Sequence, residues 1–301
     1  MRIGYFLSCE EYAPEQLVEQ AVAAERAGFE GLWISDHFHP WTEEQGQSPF
    51  VWSVIGAISQ VCRLPVTTAV TCPTVRTHPA IIAQAAATST RMLEGRFILG
   101  VGSGEALKEH ILGGPWPATE VRLEMLEEAV ALIRRLWEGD VLTARGRHYE
   151  VDQARIYTLP DSPPPIFMSG FGPRATELAA RIADGYISTK LDRELLEMFK
   201  EASGGKPAHA GTKAAYAPTV DEGVGHAHRI WPNAGLPGEL AQVLPSRATS
   251  SRPRPWSPSS RRGTACPPGR TRTSTSRRSS STRRSATTRS TSRTWGPTTW
   301  R

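Results

Sequence analysis

Short apolar runs of strand type alternate with helical periodicities along the first 220 residues, and this alternation constrains the fold more than any other feature. Arg2–Leu7 reads as a strand. Pro14–Ala27 follows with Leu17, Val18, Ala21, Val22 and Ala24 at helical spacing, and Gly28 is placed to close it in a left-handed conformation. Gly31–Phe38, Pro65–Thr71 and Arg96–Gly102 read as further strands, with Phe50–Val61 and Pro79–Met92 as helices between them. Pro117–Trp137 carries the clearest stripe: Val121, Met125, Leu126, Ala129, Leu132, Ile133 and Leu136 share one face. Val141–Pro160 reads as an inserted hairpin. Pro165–Ser169 and Gly185–Thr189 are the fifth and sixth strands, followed by helices at Arg174–Ala183 and Asp192–Ala202. Ala210–Pro218 is expected as strand seven, with a helix from about Asp221.

Such alternation calls for a parallel sheet covered by helices. Six or seven units over about 230 residues suit a (β/α)8 TIM barrel. An open dinucleotide-binding sheet would need a glycine fingerprint after the first strand. The residues there are Ser8-Cys9-Glu10-Glu11-Tyr12, which carry none.

The chain changes character near Arg247. Residues 248–301 hold 13 Arg but no Lys, Asp or Glu, and no Ile, Leu, Val, Met, Phe or Tyr. Removing those 13 charges from the whole-chain +5 leaves residues 1–247 at −8. The basic balance therefore belongs to the tail, and the alternating region offers no compositional case for nucleic-acid binding. A segment so poor in apolar residues has nothing to bury and is expected to be disordered. A shifted reading frame accounts for it. Back-translated and read one nucleotide earlier, the Trp295–Gly296 junction encodes Gly whichever codons are used, and Thr288–Trp300 can read D-E-V-Y-V-A-N-M-G-P-D-Y-M. The expected organisation is a barrel domain over 1–247, short of its last β/α unit, and an out-of-frame tail over 248–301.

Cys9, Cys62, Cys72 and Cys266 show no metal-binding spacing and suit a reducing, cytoplasmic setting. No signal peptide and no membrane-length apolar stretch is visible.

Barrel chemistry lies at the carboxyl ends of the strands. Strand two ends in Ser35-Asp36-His37-Phe38-His39-Pro40-Trp41, strand three in Thr71-Cys72-Pro73-Thr74, strand four in Gly102-Ser103-Gly104-Glu105 and strand five in Ser169-Gly170-Phe171-Gly172-Pro173. His37 is a residue type that can take a proton near neutral pH, as a general base must, or it is a structural histidine bonded to backbone. Trp41 could cover an aromatic cofactor or simply pack at the rim. Glu105 follows Gly102 and Gly104, whose small size lets backbone approach a ligand; equally, an acid at a helix start favours the dipole. The Ser169–Pro173 turn before a helix offers backbone N–H groups to a phosphate. No histidine set has metal-ligand spacing, so no metal is expected.

Together these strand ends resemble the bacterial luciferase-like barrel superfamily and, within it, the coenzyme F420-dependent glucose-6-phosphate dehydrogenase family. The motifs responsible are Ser35-Asp36-His37-Phe38 with Pro40-Trp41, Thr74 with Pro79-Ala80 and Ala83-Gln84-Ala85, and Leu99-Gly100-Val101-Gly102-Ser103-Gly104-Glu105-Ala106-Leu107. Trp231-Pro232-Asn233-Ala234 with Leu236-Pro237-Gly238-Glu239-Leu240 resembles a later segment of one branch. The resemblance implies hydride transfer between an alcohol-type substrate carbon and C5 of the deazaflavin. It makes His37 the base on the substrate hydroxyl, Glu105 the acid serving the ring, and Trp41 the stabiliser of the reacting state. Asp36, Ala69–Val70 (where relatives carry a non-prolyl cis peptide), Thr74, Ser103 and Gly104 would meet the cofactor, and Ser169, Gly170, Phe171, Gly172 and Pro173 would hold its phosphate. The sugar-phosphate enzymes use basic residues after strand six, where this chain has only Lys190 at a different spacing. An FMN-dependent monooxygenase of the same fold is the alternative, and an inactive truncated remnant the third reading. The expected partners are a small-molecule substrate and, for an intact chain, a second copy in a homodimer, with no nucleic acid and no membrane.

Overall fold

A computed structural model describes residues 2–189 and 191–235. Lys190, the segment Leu236–Leu240 and the arginine-rich tail lie outside the described residues. The elements run β1 (Tyr5–Leu7), α1 (Pro14–Arg26), β2 (Leu32–Ile34), α2 (Val51–Val61), β3 (Val66–Thr68), α3 (Pro79–Met92), β4 (Phe97–Val101), α4 (Ala106–Glu109), a 3-10 turn at His110–Leu112, and α5 (Thr119–Leu136). Then come β5 (Leu142–Arg145), β6 (Glu150–Ala154), β7 (Ile166–Ser169), α6 (Pro173–Ile182), β8 (Gly185–Ser188), α7 (Arg193–Ser203), β9 (Ala208–Ala210), α8 (Val220–Ile230) and a 3-10 turn at Pro232–Gly235.

Seven strands form one sheet in the order β1-β2-β3-β4-β7-β8-β9, with every pairing parallel, while β5 and β6 form the expected separate hairpin. The sheet curls. Gly211, just beyond β9, lies so near β2 that a methyl there would come within 2.4 Å of the Trp33 ring. His209 of β9 sits 6.3 Å from Trp33 and 4.7 Å from Phe167 of β7, ring centre to ring centre. A flat sheet of this order would hold β2 and β9 five strands apart. This is the curled parallel sheet of a TIM-type barrel, with β1 and β9 as its two ends among the described residues.

Strands β2 and β3 stop at Ile34 and Thr68, short of the ends of their apolar runs, whereas β1 and β7 keep the expected carboxyl ends at Leu7 and Ser169 and lose residues at the amino end. Strand seven is a correction: Ala210–Pro218 was expected, yet β9 is Ala208–Ala210. Its pairing with Tyr186, Ile187 and Ser188 draws in Ala208 and His209, and Gly211 N–H spends its bond on the Ser188 carbonyl as the chain leaves the sheet. The one-turn helix α4 was also missed; four residues are too few to display a period. Gly28 adopts a positive φ of 85° directly after α1, as its position implied.

The outer layer packs through the expected faces. Leu126, Ala129, Leu132, Ile133 and Leu136 of α5 are buried, and Trp137 Nε1 donates to the Ala83 carbonyl of α3 at 2.9 Å.

Candidate functional site

Strand β1 ends at Leu7 and the chain turns at once, with Glu11 N–H donating to the Ser8 carbonyl at 3.2 Å. The turn drops Glu10 into the interior, 1% exposed. Its Oε2 accepts from Ser8 Oγ at 3.0 Å and Ser35 Oγ at 2.7 Å, and its Oε1 accepts a short hydrogen bond from His37 Nδ1. Burial alone would raise the Glu10 carboxyl. The charge and hydrogen bond of His37, the charge of Lys108 and the Ser35 hydroxyl outweigh it and hold Glu10 well below the usual carboxylate range. An ionised carboxylate can only accept, so Nδ1 carries a proton and Nε2 is left as the exchangeable position of the ring. Glu10 escaped sequence reasoning, although it stands after β1 as His37 stands after β2.

Trp41 is buried, its ring centre 6.0 Å from that of His37 and edge-on to it. Its backbone N–H donates to Gln45 Oε1 at 2.7 Å, and Gln45 Nε2 reaches the Ile230 carbonyl at 2.9 Å. Trp231 Nε1 donates to Glu11 Oε1 at 2.9 Å, and Lys213 Nζ lies 4.2 Å from the centre of the Trp231 ring. The segment after β9 is thereby fastened over the ends of β1 and β2.

Glu105 enters from β4. Gly104 before it has φ +81°, and a Cβ there would stand 2.6 Å from Cys72 Sγ, so only glycine lets the loop take this path. Glu105 occupies the N-cap position of α4, yet its side chain makes no capping hydrogen bond. Its Oε2 is buried without a hydrogen-bond partner among the described residues. Burial raises its carboxyl above the usual range; His37, Lys108 and Lys213 pull the other way, and Glu10 adds to the rise. Folding thus favours the protonated form, so its contribution to stability is fully present below the ordinary carboxylate range and is lost as pH rises through the elevated value. Glu105→Gln should melt above the unaltered protein at pH 8, with the gap closing toward pH 4; equal melting temperatures throughout would reject the raised carboxyl.

The β3–β4 boundary has an irregular register. Thr67 pairs with Ile98 but Thr71 with Val101, so β3 carries one extra residue, and the Ala69–Val70 peptide within this bulge is cis, as the resemblance implied. Thr68 Oγ1 both donates to the Gly100 carbonyl and accepts from Gly100 N–H, each at 2.9 Å. The Val70 side chain covers Gly102, where a Cβ would approach it to 2.7 Å.

Two expected cofactor contacts are engaged elsewhere. Asp36 Oδ2 accepts from Thr71 Oγ1 at 2.8 Å and Oδ1 from Arg76 at 2.9 Å, while Arg76 Nε reaches Glu109 at 3.3 Å. Thr74 Oγ1 lies 2.9 Å from Cys72 Sγ and its carbonyl accepts from Tyr149 Oη at 2.9 Å. Arg76 and Glu109 were missed because their partners come from three separate loops. Arg76→Met leaves two buried carboxylates without their cation and should cost about 3–5 kcal/mol, read by denaturant unfolding; a loss under about 1 kcal/mol would show the triad to be dispensable. At the end of β7, which adjoins β4, Gly172 caps α6 and Pro173 opens it, leaving first-turn N–H groups unbonded within the helix. Ser103 and Gly104 lie between β4 and Glu105. Among the described residues no group of three His, Cys, Asp or Glu side chains could hold a metal, and no helix is long and apolar enough to cross a membrane.

A buried Glu–His pair and a second carboxyl, raised by burial, thus lie together at the strand ends of a curled parallel sheet of (β/α)-barrel type. The luciferase-like monooxygenase family model matches residues 1–220, and the chain belongs to that family. Within it, the chain is similar to F420-dependent glucose-6-phosphate dehydrogenase of Nakamurella multipartita, at 45% identity over 190 residues, covering 63% of this chain and 56% of that protein. F420-dependent hydroxymycolic acid dehydrogenase of Mycobacterium tuberculosis is 35% identical over 261 residues, covering 83% of this chain and 72% of that protein. An F420-dependent secondary alcohol dehydrogenase, solved with an F420-acetone adduct, superposes with a TM-score of 0.76 at 34% identity, covering 83% of this chain and 81% of that one. The chain spans about 56% of the length of the glucose-6-phosphate dehydrogenases it matches.

Proposed function

We propose that the protein transfers a hydride between an alcohol-type substrate and coenzyme F420. The observation that carries this reading is the Glu10–His37 hydrogen bond beside Glu105, whose Oε2 is buried and has no hydrogen-bond partner among the described residues. The residues present fit the cofactor: the orphaned Oε2 needs a polar partner, Val70 and the small Gly102 form a floor beside it, and the α6 start offers N–H groups to a phosphate. When bound, F420 supplies a deazaflavin carbon that accepts or returns the hydride. His37 Nε2 takes the hydroxyl proton while Glu10 compensates the charge that appears on the ring. Glu105 holds a proton at its carboxyl that it would give to the deazaflavin, and the buried Trp41 would keep water from His37. Asp36, Ala69–Val70, Thr74, Ser103 and Gly104 would line the cofactor's ring end, with Asp36 fixed by Arg76 and Thr74 by Cys72. Ser169–Pro173 would hold its phosphate.

The same proposal assigns catalysis to residues 1–247, treats 248–301 as out-of-frame sequence, and places an intact homodimer in the cytoplasm. Titration of F420 into this chain and into a frame-corrected version, followed by fluorescence, tests it; no binding to the corrected protein overturns it, and sedimentation reports the dimer. Glu105→Gln should lower turnover about 10²-fold with F420 affinity changed by less than about threefold. Unchanged turnover would remove Glu105 from the reaction.

A further inference from the structure

Lys108 is a lysine whose burial has no place in the reading above. It lies on the first turn after Glu105 and is 1% exposed. A buried ammonium is costly unless something holds it. Here Nζ donates to the His39 carbonyl at 2.7 Å and lies 4.1 Å from the centre of the Trp41 ring. Both contacts belong to the loop that carries His37. The helix bearing Lys108 starts directly at Glu105, so one side chain joins the segment that presents the base to the segment that presents the acid. Its charge also acts favourably on both carboxylates of the site, Glu10 and Glu105.

We infer that Lys108 is a positioning residue for the proposed reaction: its ammonium clamps the His37–Trp41 loop onto α4 and supplies the positive charge that sets how readily Glu105 gives up its proton. This rests on the F420 reading for its functional meaning and on the Lys108 contacts with His39 and Trp41 for the clamp. The groups acting on Glu105 are His37, Lys108, Glu10 and Lys213. His37 and Glu10 form a hydrogen-bonded pair whose opposite charges partly cancel, and Lys213 is held over Trp231. Lys108 is thus a cation that one substitution removes without touching the Glu10–His37 pair. The direction follows from Coulomb's law. A nearby positive charge favours the carboxylate, so deleting it makes Glu105 hold its proton to higher pH.

The test uses the full chain in three forms: unaltered, Lys108→Met and Lys108→Arg. Met keeps the length of the side chain without the charge, and Arg keeps the charge. Glutamate carboxyl carbons are labelled with ¹³C and titrated by NMR, Glu105 being assigned by its disappearance in Glu105→Gln. The expected result is a Glu105 midpoint about one pH unit higher in Lys108→Met and restored in Lys108→Arg. An unchanged midpoint in a folded Lys108→Met overturns the inference. Should Lys108→Met fail to melt cooperatively, the Lys108→Arg form decides: a midpoint within about 0.3 units of the unaltered protein supports a charge role, and a rise comparable to that of a neutral side chain rejects it. None of these readouts needs F420. In the corrected full-length protein with F420, Lys108→Met should also move the alkaline limb of kcat upward while KM stays within about twofold. Failure of the frame-corrected protein to bind F420 would defeat the proposed function and leave the titration result standing.

Discussion

Glu10→Gln should lower turnover with an alcohol substrate and F420 by about 10²–10⁴-fold while the protein stays folded. Glutamine keeps the volume of a side chain that is 1% exposed, and its carbonyl oxygen can still accept from His37 Nδ1. Its amide can face Ser8 and Ser35, whose hydroxyls rotate to accept. What disappears is charge. In the proposed step His37 becomes cationic when it takes the substrate proton, and a buried carboxylate against its other nitrogen is worth far more there than at the surface. The loss should fall on kcat, with KM little changed, because the carboxylate counts most where His37 must hold the proton taken from the substrate. Steady-state assay of F420 reduction together with thermal melting checks this. A folded variant retaining more than about a tenth of the turnover would mean that Glu10 serves only to hold His37 in place.

Gly100→Ala should cost about 3–5 kcal/mol and may be read as a loss of cooperative melting. A Cβ at this position would fall 1.8 Å from the Thr68 carbonyl oxygen and 3.3 Å from Val70 Cγ1. The first neighbour is backbone, held by reciprocal bonds between Thr68 Oγ1 and Gly100, so no rotamer change relieves the clash. Relief requires β3 and β4 to part where the bulge carrying the cis Ala69–Val70 peptide lies. Gly102→Ala meets the Val70 methyl at 2.7 Å instead, which a side-chain shift can ease, and should cost less. Equal unfolding free energies for the two variants, measured in denaturant, would sink the distinction between backbone and side-chain contact.

Local periodicity made the layered α/β fold legible, and the motif at Leu99–Leu107 made one half of the site legible. His37 and Glu105 were visible because each terminates an apolar run at a strand end. Strand seven was misplaced because Ala208, His209 and Ala210 form no apolar run; β8 selects them through backbone pairing. Glu10, Arg76, Lys108 and Glu109 were invisible for a related reason. Each looks like ordinary surface charge in a polar loop, and its burial depends on partners 27 to 69 positions away for Glu10–His37, Arg76–Glu109 and Lys108–His39.

The sequence by itself determined the parallel α/β architecture, the acidic character of residues 1–247 and the residue types at the strand ends, since periodicity, charge and glycine placement are local properties. Only the tertiary structure decided that Glu10 is the partner of His37, that Glu105 keeps a buried oxygen without a partner, and that Asp36 is held by Arg76. Those facts are about dielectric environment and distance between loops. Neither quantity exists until the sheet curls and brings the carboxyl ends of its strands to one mouth.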